Sequence, residues 1–189
     1  TLLACLTLTG CANVQPPVPL DHQFWDAKEP TIGVAITVVP PPVLALTGNQ
    51  GFLDYAINKG VNSKLSANVE QWQVRDLTTL PDVIVAKLQA KGYKAKRIDE
   101  PLDLKIYKEI SFHEGYMTRD LTPVKAAYGV DRLLLVNVYA TGATRSYHGF
   151  IPTSVPMAQV GGQGLVVDLA DNKLLWFKPF VVTQAAQGE

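Results

Sequence analysis

The stretch Ala126-Ala127-Tyr128-Gly129-Val130-Asp131-Arg132-Leu133-Leu134-Leu135-Val136-Asn137-Val138-Tyr139 decides the fold. From Leu133 onward it is a nearly unbroken apolar run, the pattern of a central strand buried on both faces of its sheet. The residues before it read as a short helix. Thr122-Pro123 places a proline at the first helical position, and Gly129 supplies a left-handed stop. A helix feeding directly into a central strand is the joint around which the other segments must be arranged.

On the N-terminal side, Thr31-Ile32-Gly33-Val34-Ala35-Ile36-Thr37-Val38-Val39 is rich in β-branched residues and predicts a strand, ended by Pro40-Pro41-Pro42. Val43 to Leu46 predicts a short edge strand, and Asn49 an N-cap. Leu53, Ile57, Val61, Leu65 and Val69 recur at i+4 and form one helical face, with Gly60 as its weak point. A second helix starts at Thr79-Leu80-Pro81, carries the stripe Leu80, Val83, Ile84 and Leu88, and stops at Gly92. Tyr93 to Ile98 predicts a strand, and Asp99 to Glu114 is charged and without a clear period. On the C-terminal side, Val155 to Asp168 and Lys173 to Val182 predict strands joined by an Asp171-Asn172 turn. The order β, helix, helix, β, helix, β, β, β predicts an α+β fold. Its sheet is mixed and largely antiparallel, closed by a meander, with two or three helices packed on one face.

Composition narrows the function classes. The chain has 189 residues, 17 basic and 17 acidic, so its zero net charge leaves no electrostatic footprint for nucleic acid. Two cysteines make neither a disulfide framework nor a four-cysteine zinc site. His22, His113 and His148 share no metal-ligand spacing, and no cofactor motif is present. His113-Glu114 is poorly placed as a base with an orienting carboxylate, because neighbours on a strand face opposite ways. The serines lack a nucleophile-elbow context. These observations predict that the chain is not an enzyme.

No charged residue precedes Asp21. Thr1 to Gly10 has the length of a signal-peptide apolar region, short of the ~20 residues a membrane span needs. Leu8-Thr9-Gly10-Cys11 resembles the lipobox of bacterial lipoproteins. The resemblance implies cleavage before Cys11, a diacylglycerol thioether on its sulfur and acylation (palmitate) of its new amino group. An inert buried cysteine and a Cys5–Cys11 disulfide are the alternatives. Because Ala12 and Asn13 follow rather than Asp, the resemblance also implies an outer-membrane protein facing the periplasm. Pro16, Pro17, Pro19 and Pro30 read as an extended tether, interrupted by Phe24 and Trp25. The expected division is a signal remnant at 1–10, a lipidated cysteine and tether at 11–30, and one periplasmic domain at 31–189.

The segment quoted first, taken with Gly164-Leu165-Val166-Val167-Asp168-Leu169-Ala170-Asp171-Asn172-Lys173-Leu174-Leu175-Trp176, resembles the α/β domain of periplasmic lipoproteins. The curli-secretion lipoprotein, the penicillin-binding-protein activator lipoproteins and the TolB N-terminal domain are examples. The likeness covers about 50 residues and implies architecture, not a secretion role.

Function is sought in the segment Thr141 to Ser154, read as a long loop between strong strands. Arg145, Tyr147, His148 and Phe150 are its candidate partner-binding residues, since arginine and aromatics dominate binding hot spots. The alternative is that the segment extends a hairpin, with Tyr147 and Phe150 folded onto the sheet edge. The expected partners are the membrane, through the anchor, and an envelope protein. Self-association through an unpaired edge strand is also expected to be open to this chain. The competing expectation is an envelope enzyme or small-ligand binder with a pocket near Gly161-Gly162-Gln163-Gly164, a stretch otherwise read as a bent strand of close backbone approach.

Overall fold

The computed structural model describes residues 14–74 and 76–185. Cys5, Cys11, the 1–10 segment and the first residues of the tether lie outside the described residues. The central run is the core of a 17-residue strand, β4 (Arg132–His148), reached from helix α5 (Pro123–Tyr128) through Gly129 in the left-handed conformation. The other strands, in chain order, are β1 (Ile32–Ile36), β2 (Val43–Asn49), β3 (Ala95–Arg97), β5 (Ile151–Pro152), β6 (Met157–Asp168) and β7 (Lys173–Ala185). The remaining helices are α1 (His22–Asp26), α2 (Phe52–Val61), α3 (Ser63–Val69) and α4 (Leu80–Ala90).

The sheet runs β3-β1-β4-β6-β7, with β2 and β5 also paired to β4. β4, β6 and β7 form the expected antiparallel meander, whereas β1, β2 and β3 join in parallel. The class is therefore α+β with a mixed, mostly antiparallel sheet, and five helices among the described residues rather than two or three.

The helices do not keep to one face. Leu133 and Leu135 point into a core with Val124 of α5, Leu165 and Val167 of β6, and Leu102, Met117 and Leu121 from the long connection before α5. Leu134 points the other way, toward Ile84 and Leu88 of α4, Tyr93 and Phe24. Burial of each such large side chain contributes about 1.5–3 kcal/mol, so β4 is pinned from both sides.

The segment expected as a tether is not free over its second half. Val18 and Phe177 exchange backbone hydrogen bonds of 2.9 and 3.0 Å. Phe24 and Trp25 of α1 close on Tyr93, whose hydroxyl donates to the Trp25 carbonyl at 2.7 Å, and the Lys28 ammonium sits 3.4 Å from the Tyr93 ring centre. The two large aromatics outweigh the prolines around them: buried apolar area holds the segment on the domain.

β1 and β2 lie one after the other along the same edge of β4. Ile32–Ile36 pairs with residues 132–136, and Val43–Asn49 with residues 142–148. Between them the three prolines interrupt the ladder. The Thr37 hydroxyl accepts from the Val138 N–H at 3.0 Å and donates to the Asn137 side chain, and the Thr141 hydroxyl donates to the Pro40 carbonyl at 2.8 Å. Both threonines are buried, so these bonds satisfy groups that water cannot reach. At the same level β4 carries a bulge at Tyr139, opposite Gly161 and Gly162. A side chain on Gly162 would meet the Asn137 carbonyl and the Phe180 ring at 2.6 Å, which is the close approach expected of the glycine-rich strand.

Gly142 is the tightest point. Its φ is 122°, and an added Cβ would lie 2.1 Å from the Val43 carbonyl oxygen. Gly142→Ala is expected to cost about 3 kcal/mol or more, through positive φ and collision with β2. A urea-unfolding midpoint unchanged from wild type would contradict this.

Asp131 ties α5, β1 and β4 together. Its carboxylate accepts from the Thr31 N–H at 3.0 Å and pairs with Lys125 at 3.3 Å. These contacts, the backbone hydrogen bond first, hold its carboxyl below the usual aspartate range. A lowered folded pKa stabilises above the ordinary aspartate range and is lost as pH falls through it. Asp131→Asn should therefore be less stable than wild type at about pH 6, with the gap closing below about pH 3. Denaturation midpoints across that range decide it; a gap independent of pH would count against the ion pair.

Candidate functional site

The segment 141–154 is largely strand. β4 continues through His148, turns at Gly149-Phe150, and returns as β5, with Tyr147 opposite Pro152 and His148 opposite Ile151. The loop reading is thus corrected in favour of the extended hairpin. It fails because β2, about a hundred residues earlier, pairs with this part of β4 and holds it straight.

The four candidate residues separate accordingly. Tyr147 is 4% exposed and packs inward. Its hydroxyl accepts from the Asn62 amide at 2.7 Å. Arg145 is half-buried, donates to the Asn62 side-chain oxygen at 3.1 Å and lies 5.7 Å from the Tyr147 ring centre. Its Nε is buried without a hydrogen-bond partner, and none of the ion pairs among the described residues includes it. His148 is exposed at the end of β4. Phe150 is exposed at the tip of the hairpin. Only Phe150 and His148 are therefore available to a partner as they stand. Tyr147 and Arg145 position the surface around them.

The residues missed in the sequence are on α2. The i+4 stripe Leu53, Ile57, Val61 is not its buried face. Asn58 and Asn62 are 1% and 3% exposed, whereas Phe52 and Val61 are 92% and 75% exposed. The helix is turned polar side inward. Asn58 donates to the Gln50 side chain at 2.8 Å and to the Gly149 carbonyl at 2.9 Å, while Asn62 donates to the Asn58 carbonyl and bonds Tyr147 and Arg145 as above. A buried, satisfied amide network fixes the orientation, because withdrawing any member leaves desolvated donors. The signal in the sequence was the polar row Asp54, Asn58, Asn62 at i, i+4, i+8, running beside the apolar one.

The result is an apolar tip. Ile57 and Val61 of α2, Phe150 and Pro152 of the hairpin, and Arg145 and Tyr147 beneath them line a groove of about 460 Å³. It sits at the far end of the sheet from the first described residues. Gln15 accepts from the Gly115 N–H, Gly115 accepts from Leu174, and Leu174 lies level with Leu133 at the start of β4. The length of β4 separates the two ends by about 50 Å at ~3.3 Å per residue.

A second, smaller groove of about 230 Å³ lies beside Val160, next to the glycine-rich stretch, between Trp72, Gln73 and the sheet. Its lining among the described residues includes Gln159 and Gln184 but neither His148 nor a carboxylate. Among the described residues no group of three or more His, Cys, Asp or Glu is placed to hold a metal, and no helix is long and apolar enough to cross a membrane.

No family model matches the chain, and no curated protein is significantly similar to it. Among solved structures, the lipoprotein GNA1162 from Neisseria meningitidis is similar over 85% of this chain and 86% of its own, at 15% identity and a TM-score of 0.41. A superposition that loose carries no role across.

Tyr147→Phe tests the network that holds the tip. Removing the hydroxyl strips the buried Asn62 amide of one acceptor, at an expected cost of about 1–3 kcal/mol. Amide exchange should accelerate in α2 before it does in β4. Protection in α2 equal to that of wild type would show that the bond does not orient the helix.

Proposed function

We propose that this chain is a lipid-anchored envelope protein, attached through Cys11 at the periplasmic face of the outer membrane, that acts as a binding or assembly module rather than as an enzyme. Leu8-Thr9-Gly10-Cys11 supports the anchor. Acyl chains contribute about 0.8 kcal/mol per buried methylene, and two or more hold a protein on a membrane almost permanently. The observation that carries the binding role is the exposed apolar tip of α2 and Phe150. Large apolar patches on a soluble surface are kept for contacts. The tip faces away from the anchored end, so the domain presents it to the periplasm. Tethering confines that surface to a thin layer and raises its effective concentration there.

Two measurements test this. Mass spectrometry of membrane-extracted protein should find Cys11 as a lipid-modified N-terminus; retention of residues 1–10 would remove the anchor. Photocrosslinking in intact cells from Phe150 should give discrete adducts that Ile57→Glu abolishes. Adducts indifferent to that change would remove the tip as the binding surface.

A further inference from the structure

We infer that the tip is a two-fold interface between two copies of this chain. The inference names the partner for the assembly role proposed above and rests on that reading.

The outward face of α2 is Phe52, Leu53, Ala56, Ile57, Gly60 and Val61, with Lys59 on one flank and the half-buried Asp54 on the other. In a surface helix of a monomer this face would be polar. Here its exposure follows from the amide network, which spends the inner face on Asn58 and Asn62. The centre of the face is small. An added Cβ on Gly60 would meet nothing within 4 Å, so no group among the described residues fills the space. A glycine inside a helix costs about 0.5–1 kcal/mol relative to alanine, and the empty space over it is room for the close approach of another backbone. At the start of the helix Phe52 projects almost entirely into solvent, and at its end lies the apolar groove of Ile57, Val61, Phe150 and Pro152. One patch thus holds a protruding aromatic, a low centre and an apolar recess. A two-fold contact needs protrusion and recess within a single self-complementary surface.

The area is also right. Phe52, Leu53, Ile57, Val61 and Phe150 together expose the equivalent of about three and a half whole large side chains. At roughly 150–250 Å² each that is on the order of 700 Å², close to the roughly 800 Å² each partner contributes to a standard interface. A lipid surface is the less suitable cover. The tip lies about 50 Å from the end where the anchor enters, along the length of β4, and carries no cluster of basic residues for anionic headgroups.

The test is sedimentation velocity on the full chain, extracted in a mild detergent, from about 1 to 100 μM. The expected result is a dimer with micromolar or tighter affinity. Phe52→Glu and, separately, Phe150→Glu should each weaken it by about 30-fold per site, on the order of 10³-fold because the site occurs twice. Gly60→Trp should do the same without contact to the sheet. Circular dichroism should match wild type for all three. A monomer throughout that range overturns the inference, as does a dimer indifferent to all three changes. So does a monomer whose Phe52 and Phe150 are needed to bind phosphatidylethanolamine–phosphatidylglycerol vesicles. If the chain is monomeric but Phe150 still crosslinks to another protein in cells, the second-copy inference fails and the assembly role stands. If both are absent, both fail.

Discussion

The structure depends on one constraint: a 17-residue central strand must have its backbone hydrogen bonds met along both edges. One edge is simple, because β6 runs antiparallel beside β4 with a single bulge at Tyr139. The other edge is supplied by a chain that carries Pro40-Pro41-Pro42 in the middle. Proline offers no N–H, so the ladder must break there. Thr37 and Thr141 repair it with side-chain hydroxyls, and β2 resumes in almost the same register beyond the break. Without that repair buried backbone groups of β4 on this edge would lack partners between β1 and β2, beneath the hairpin and the seat of α2.

The break divides the sheet into unlike halves. Below it both faces are closed, by α4 and α1 on one side and by α5 with the preceding connection on the other. Above it the sheet is lightly covered, and the contacts that hold α2 are polar. An apolar helix face turned inward would have buried more area. The amide network instead fixes a specific orientation, since Asn58 reaches the Gly149 carbonyl while Asn62 bonds both Tyr147 and Arg145. The lower half supplies the stability and the upper half supplies a defined, exposed surface.

What could be read in the sequence was local. The Pro123 start and Gly129 stop of α5, the apolar run after Asp131, and the Asp171-Asn172 turn are set by neighbours within a few residues, and the structure keeps them. Asn172 does more than turn: its side chain accepts from the Leu121 N–H and donates to the Met117 and Arg119 carbonyls, a role its flanking residues do not announce. What could not be read was set at a distance. β2 finds its partner about a hundred residues away, which converts an apparent loop into strand. The i+4 pattern of Leu53, Ile57 and Val61 marks a face but not its direction. The direction is decided by the Tyr147 hydroxyl, 85 residues further along. Of the four candidate binding residues, the two with the strongest hot-spot chemistry are the ones the fold uses to hold α2.

The placement of the two functional ends follows from the same geometry. β4 begins where the N-terminal segment docks and ends at the tip, so the strand that organises the core also sets the distance between the proposed anchor and the proposed contact surface. A surface at the anchored end would compete with the membrane for its own apolar residues. A surface some 50 Å away is free to meet a protein, and on the proposed anchor one bilayer would hold both copies and limit the orientations their tips can take. Under that restriction a modest interface is enough. With the proposed anchor in place, part of the translational freedom that association normally consumes would already be removed, and the remaining specificity would be left to the shape of α2.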